Sequence, residues 1–96
     1  MSINKKICVI GAGKWGLNHV RTLYKLNALG AVVDSSEKAL HFVSENYKNC
    51  NTYRRLSSDI IKDYDGFIIA TDPSSHFKLA KPIILYGKPL LIEKPL

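Results

Sequence analysis

Four short apolar runs punctuate the chain, and none of them alternates with polar positions. They are Ile7-Cys8-Val9-Ile10, Ala31-Val32-Val33, Phe67-Ile68-Ile69-Ala70 and Leu90-Leu91-Ile92, ending at Gly11, Asp34, Thr71 and Glu93. Runs apolar on both faces predict strands of a parallel sheet covered by helices on both sides. Thr52-Tyr53-Arg54 is a weaker run and predicts an edge strand. Between these runs the apolar positions follow a helical period. Trp15, Leu17, Val20, Leu23 and Tyr24 make one stripe. Ala39, Leu40, Val43 and Tyr47 make a second, after Ser35 or Ser36 as N-cap.

Asp59-Ile60-Ile61-Lys62 predicts at most a short helix. A fourth helix carries Phe77, Leu79, Ala80, Ile83 and Ile84, with Ser74 or Ser75 as cap and Gly87 as stop. Pro82 interrupts it. A proline inside a regular helix removes one hydrogen bond and costs ~3 kcal/mol. A kink near Phe77 to Lys81, or two short helical pieces, is therefore expected.

Strands alternating with helices through short connections require right-handed crossovers. The expected fold is α/β: a Rossmann-type doubly wound parallel sheet of about five strands, order 3-2-1-4-5, with helices on both faces. Ligands of such sheets bind beyond the carboxyl ends of the strands, where the order reverses. Gly11, Asp34, Thr71 and Glu93 all fall at those ends.

Gly11-Ala12-Gly13-Lys14-Trp15-Gly16 matches G-x-G-x-x-G between a strand and a helix. Gly11 permits the tight turn out of the strand, Gly13 lets a pyrophosphate approach the backbone, and Gly16 lets the helix pack close to the sheet. The helix then offers its first N–H groups and the positive end of its dipole to the phosphates. Lys14 and Trp15 sit beside that site; helix–sheet packing is the commoner role for such a tryptophan, but in either role it lies near the ligand, so its fluorescence should report binding. An ordinary glycine turn is the plain alternative, but an acidic residue, Asp34, ends the next strand twenty-three residues after Gly11. Its carboxylate suits ribose hydroxyls and repels a 2′-phosphate. No arginine follows it, only Ser35 and Ser36, so NAD is expected in preference to NADP. Asp34 could instead cap the next helix, but the two serines can do that, which leaves its carboxylate free.

A length of 96 residues, with 46% hydrophobic and 23% charged, indicates one small folded domain, residues 1–96. The net charge of +6 raises the question of nucleic acid. The lysines are scattered, with no basic run of five and no aromatic RNA-binding signature, so no nucleic-acid partner is expected. The charge instead favours anionic ligands such as nucleotides. No C-x-x-C occurs, and no metal site is expected; Cys8, inside a strand, reads as a small buried hydrophobe. The polar start, Met1 to Lys6, leads into a brief apolar stretch, too short for a signal peptide, and no run is long enough to span a membrane, so a cytoplasmic protein is expected.

Taken in order, the residues resemble the glucose–fructose oxidoreductase, inositol dehydrogenase and MocA family of sugar-type dehydrogenases. The resemblance runs through Ile10 to Gly16, Val33-Asp34, Ala70-Thr71-Asp72-Pro73-Ser74-Ser75-His76-Phe77, and Gly87 to Leu96. The last block, with Glu93-Lys94-Pro95 after a glycine turn and a buried strand, is the most specific. The resemblance implies that Lys94 is the catalytic lysine beside the nicotinamide, stabilising the alkoxide that develops as hydride leaves or relaying the proton. It implies that Pro95 shapes the turn after Lys94, and that Thr71, Pro73, His76 and Glu93 lie near the cofactor. His76 reads equally well as a helix-start residue without chemistry.

Two residues depart from the family pattern: Asp72 stands where proline is more usual, and Pro82 replaces a helix former. The resemblance covers only the nucleotide half. The family's second domain, which holds the substrate and usually supplies a histidine acid/base, is missing, and the nucleotide domain is short by its final helix and strand. The expected function is thus the NAD-binding portion of a sugar, cyclitol or nucleotide-sugar dehydrogenase, incompetent by itself and acting on substrate only with that second domain. The alternatives are a standalone nucleotide-binding or regulatory module, an interaction protein, or the remnant of a decayed gene. Methyltransferases share this architecture, but Glu93-Lys94-Pro95 has no task in one. Leu90, Leu91, Ile92 and Leu96 would form an uncovered apolar edge, so self-association is expected.

Overall fold

The four apolar runs form strands. The computed structural model describes residues 5–93. Among them, β1 (Ile7–Ile10), β2 (Leu29–Val33), β3 (Asn51–Tyr53), β4 (Gly66–Ile69) and β5 (Leu90–Ile92) form one parallel sheet. Its order is β3-β2-β1-β4-β5, the doubly wound arrangement expected. The helices α1 (Lys14–Lys25), α2 (Glu37–Asn46), α3 (Ser58–Asp63) and α4 (Pro73–Leu85) alternate with the strands.

Because successive strand residues point to opposite faces, the continuous apolar runs supply two cores at once. Val9 and Val32 face Val20 of α1 and Leu40 and Val43 of α2. Cys8, Ile10, Ala31, Val33, Phe67 and Ile69 face Ile60 and Ile61 of α3 and Ala80 and Ile83 of α4. Fully burying a side chain of this size stabilises by about 1.5–3 kcal/mol. Burial also pushes the Cys8 thiol up to about 12, with the Cys50 thiol a smaller cause.

The register aligns the strand ends that matter. Ile10 lies opposite Val33 on one side and Ile69 on the other. The ladders run one residue further: Gly11 N–H donates to the Val33 carbonyl at 2.7 Å, Ala70 N–H to Ile10 at 2.8 Å and Glu93 N–H to Ile69 at 2.8 Å. At the opposite end the register slips between Ile7 and Cys8, leaving Gly30 as the extra residue of β2. A Cβ at Gly30 would sit 2.8 Å from the Tyr64 ring, so the irregularity makes room for that buried phenol.

The helix ends follow local chemistry. Ser36 Oγ accepts from Ala39 N–H at 3.2 Å and caps α2, as one of the two expected serines. After α4, Gly87 takes φ +70, its N–H donates to Ile84 and that of Lys88 to Ile83, the paired closure of a Schellman motif. Asn27 closes α1 the same way at φ 59. Two expectations for α4 need correction. The N-cap is Asp72, with Pro73 in the first turn, rather than Ser74 or Ser75. A proline at the first helical position fits because its missing N–H would have no partner there. Of the kink or two short pieces expected, the two pieces are excluded, because the segment is one helix with Pro82 within it. Pro82 stands in the last turn, and Lys78, whose carbonyl loses its partner, is exposed to water.

Candidate functional site

Beyond the carboxyl ends of the strands lies a cleft of about 740 Å³. The strand order sets the sequence of groups along it: Arg54 and Arg55 after β3, Asp34 and Ser35 after β2, the glycine turn after β1, Thr71 and Pro73 after β4, and Glu93 after β5. At ~4.8 Å per strand these groups span on the order of 19 Å.

The three glycines have three different surroundings. Gly11 has φ +102, and a Cβ on it would lie 2.8 Å from the Ala70 carbonyl oxygen. A Cβ on Gly16 would lie 1.8 Å from the Gly11 carbonyl oxygen, so α1 rests directly on the turn. Gly16 acts from behind the cleft and does not line it. Gly13 differs from both, because a Cβ there would meet nothing within 4 Å. It is the N-cap of α1, it lines the cleft, and it has an ordinary φ of -78. The protein's own packing therefore gives no reason for a glycine at 13. A ligand lying against that backbone does.

No side chain caps α1, and its first turn carries no acidic residue. The first N–H groups of a helix have no intrahelical partners, and here they face the cleft with the positive end of the helix dipole behind them. Lys14 adds a full charge at the first helical position and lines the cleft with Trp15, which is 56% exposed. These groups fit a pyrophosphate.

Asp34 departs from the expectation that its carboxylate is free. Oδ2 accepts from Ala12 N–H at 2.7 Å and Oδ1 from Ser36 N–H at 2.8 Å. Each carboxylate oxygen offers about two acceptor sites, so the group can still accept a ribose hydroxyl while holding the turn. Ser36 does cap α2 as reasoned; the bonds to Asp34 come from backbone amides, one of them far away in sequence.

Thr71 and Pro73 line the cleft. His76 does not. It is buried, and its Nε2 meets the Thr71 carbonyl at 3.0 Å. Its ring braces the loop from within, which favours the reading without chemistry. Glu93 lines the cleft and pairs with His19 of α1. Lys94 and Pro95 lie outside the described residues.

Sequence reasoning missed Arg54, Arg55 and Leu56, which line the end of the cleft beyond β3. Arg54 Nη1 also pairs with Glu37 Oε1 at 2.8 Å, in the open. Neither arginine directly follows Asp34 in sequence. The signal was two consecutive arginines at the end of the strand that the expected order places beside β2. Among the described residues, no group of three or more His, Cys, Asp or Glu could hold a metal ion. None of the described helices is long and apolar enough to cross a membrane.

The model of an oxidoreductase family with an NAD-binding Rossmann fold, that of glucose–fructose oxidoreductase, inositol dehydrogenase and MocA, matches residues 5–96. The chain belongs to this family. An inositol 2-dehydrogenase of Corynebacterium glutamicum is 26% identical over 100 residues, covering all of this chain and 30% of that protein. A UDP-N-acetylglucosamine 3-dehydrogenase of Acidithiobacillus ferrooxidans is 29% identical with TM-score 0.82, over 97% of this chain and 30% of that one. The scyllo-inositol dehydrogenase of Lactobacillus casei shares the fold at 20% identity. Its apo form has TM-score 0.86 over 98% of this chain and 29% of that one. Its complex with NAD(H) and scyllo-inositol has TM-score 0.84. The chain spans about 30% of the length of the curated relatives it matches.

Proposed function

We propose that the cleft binds NAD and that the chain is the cofactor-binding portion of a dehydrogenase acting on a sugar, cyclitol or nucleotide-linked sugar. The observation that carries this reading is Gly13, a glycine that nothing in the protein requires, at the mouth of an uncapped helix. The α1 amides and Lys14 hold the pyrophosphate. Asp34 accepts from the adenosine ribose, and its charge favours NAD over NADP. Thr71, Pro73 and Glu93 shape the nicotinamide side, and Lys94 is the catalytic residue. Bound NAD supplies the hydride acceptor. Lys94 hydrogen-bonds the reacting hydroxyl and stabilises the alkoxide as it forms.

The relatives named above include enzymes of inositol and of a nucleotide sugar, which supports that substrate class. Orientation of the reacting hydroxyl requires a substrate domain that residues 1–96 do not supply. Mixing the chain with NAD and a panel of inositols, hexoses and nucleotide sugars should give no NADH absorbance. Robust NADH formation would contradict this incompetence.

Two free cysteines and no disulfide among the described residues fit the reducing cytoplasm. Among the described residues β5 is an edge strand, and its exposed Leu91 supports self-association with a second copy. Sedimentation should show mass rising with concentration; a concentration-independent monomer would contradict it.

A further inference from the structure

We propose that His19 is a positioning residue for the nicotinamide end of the cleft, gripping the Glu93 carboxylate and so fixing where the chain leaves β5. The inference rests on the reading of the cleft as an NAD site.

His19 lies on α1 three residues beyond Gly16, the residue that abuts the glycine turn, so both share the helix face turned to the strand ends. Its Nε2 contacts Glu93 Oε2, and the two side chains are only 25% and 26% exposed. Fully exposed pairs contribute little; this one is three-quarters sheltered and joins residues 74 apart in sequence. It also spans parts of the fold that otherwise meet sparingly. The packed neighbours of α1 are β1 and β2, whereas Glu93 ends β5 at the other side of the sheet.

Among the described residues, Glu93 is held through both its main chain and its side chain. Its main-chain N–H donates to Ile69 at 2.8 Å, the last rung between β4 and β5, and its side chain is held by α1. Of the groups lining the cleft, Glu93 stands furthest from Asp34 and Arg54 in strand order. Loosening it should disturb one half of a bound dinucleotide and spare the other.

That asymmetry makes the role testable on the 96-residue chain. NAD and ADP-ribose, which lacks the nicotinamide, are titrated against Trp15 fluorescence in wild type, His19→Ala and His19→Gln. In His19→Ala the NAD affinity should fall about fivefold to tenfold, the size of one ordinary hydrogen bond's net contribution, with ADP-ribose unchanged. His19→Gln retains an N–H donor and should recover part of the loss. Equal losses for both ligands would mean a merely structural role and overturn the proposal, as would unchanged NAD affinity. If His19→Ala does not fold, Glu93→Gln replaces it in the same comparison. A wild-type chain that binds neither ligand would instead defeat the NAD reading itself.

Discussion

Asp34 Oδ2 accepts a hydrogen bond from the Ala12 N–H at 2.7 Å, tying the end of β2 to the glycine turn that follows β1. On the proposed reading of the cleft, binding and folding share this one carboxylate. Asp34→Ala should destabilise the chain by about 1.5–3 kcal/mol, the range for a hydrogen bond to a charged group, and should also weaken NAD binding. Urea denaturation checks the first and a cofactor titration the second. Unchanged stability would show that the bond to Ala12 contributes nothing.

Gly13 and Gly16 should separate ligand from fold. Gly13→Ala meets open space at an unstrained φ, so it should cost under about 1 kcal/mol while sharply reducing NAD affinity. Gly16→Ala drives a Cβ to 1.8 Å from a backbone oxygen and should cost about 3 kcal/mol or more. Calorimetric unfolding of both variants, with NAD titrations of each folded one, measures the contrast. Normal NAD binding by Gly13→Ala would return that glycine to the status of an ordinary turn.

Arg55 lines the cleft beside Asp34 and Ser35, where a 2′-phosphate would lie. Wild type should bind NAD more tightly than NADP, because the Asp34 charge opposes the added phosphate. Arg55→Ala should widen that gap by weakening NADP alone. Parallel titrations of the two cofactors give the ratio; an unchanged ratio would remove Arg55 from cofactor discrimination.

Alkaline pH should unfold the chain through its core. The folded state keeps Cys8 protonated up to about 12, against an ordinary value of 9.0. The unfolded chain loses that proton first, so the stabilisation is full below pH 9 and is lost as pH rises towards 12. Three pK units correspond to about 4 kcal/mol from Cys8 at most. Cys50, also raised, and Tyr64, pushed up to about 12 by burial and then by its hydrogen bond with Tyr53, act in the same direction. Urea midpoints between pH 8 and 11 should fall in wild type, and less steeply in Cys8→Ala. Parallel slopes would contradict the assignment to Cys8.

The strands, their order and the glycine turn were legible because each rests on local sequence. An apolar run long enough to bury both faces has one stable home in a small α/β domain, and Gly11 alone accepts φ +102 without strain. What stayed hidden depends on partners distant in the chain. Asp34 finds the Ala12 amide 22 residues away, and His19 finds Glu93 across 74. Arg54 and Arg55 matter only once β3 is known to lie beside β2. His76 was ambiguous because a histidine at a helix start can turn either way; its ring turned inward, onto the Thr71 carbonyl. The start of α4 was misplaced because serine side chains suggested a cap, whereas Pro73 at the first helical position set the boundary.

The most direct test of the central claim is a titration of the chain with NAD, followed by the fluorescence of Trp15, its single tryptophan. Trp15 stands in the cleft wall at the first turn of α1. A saturable change that ADP-ribose competes away, and that Gly13→Ala largely abolishes, is the predicted result. No saturable change with NAD, and no heat of binding by calorimetry on the folded chain, would contradict it.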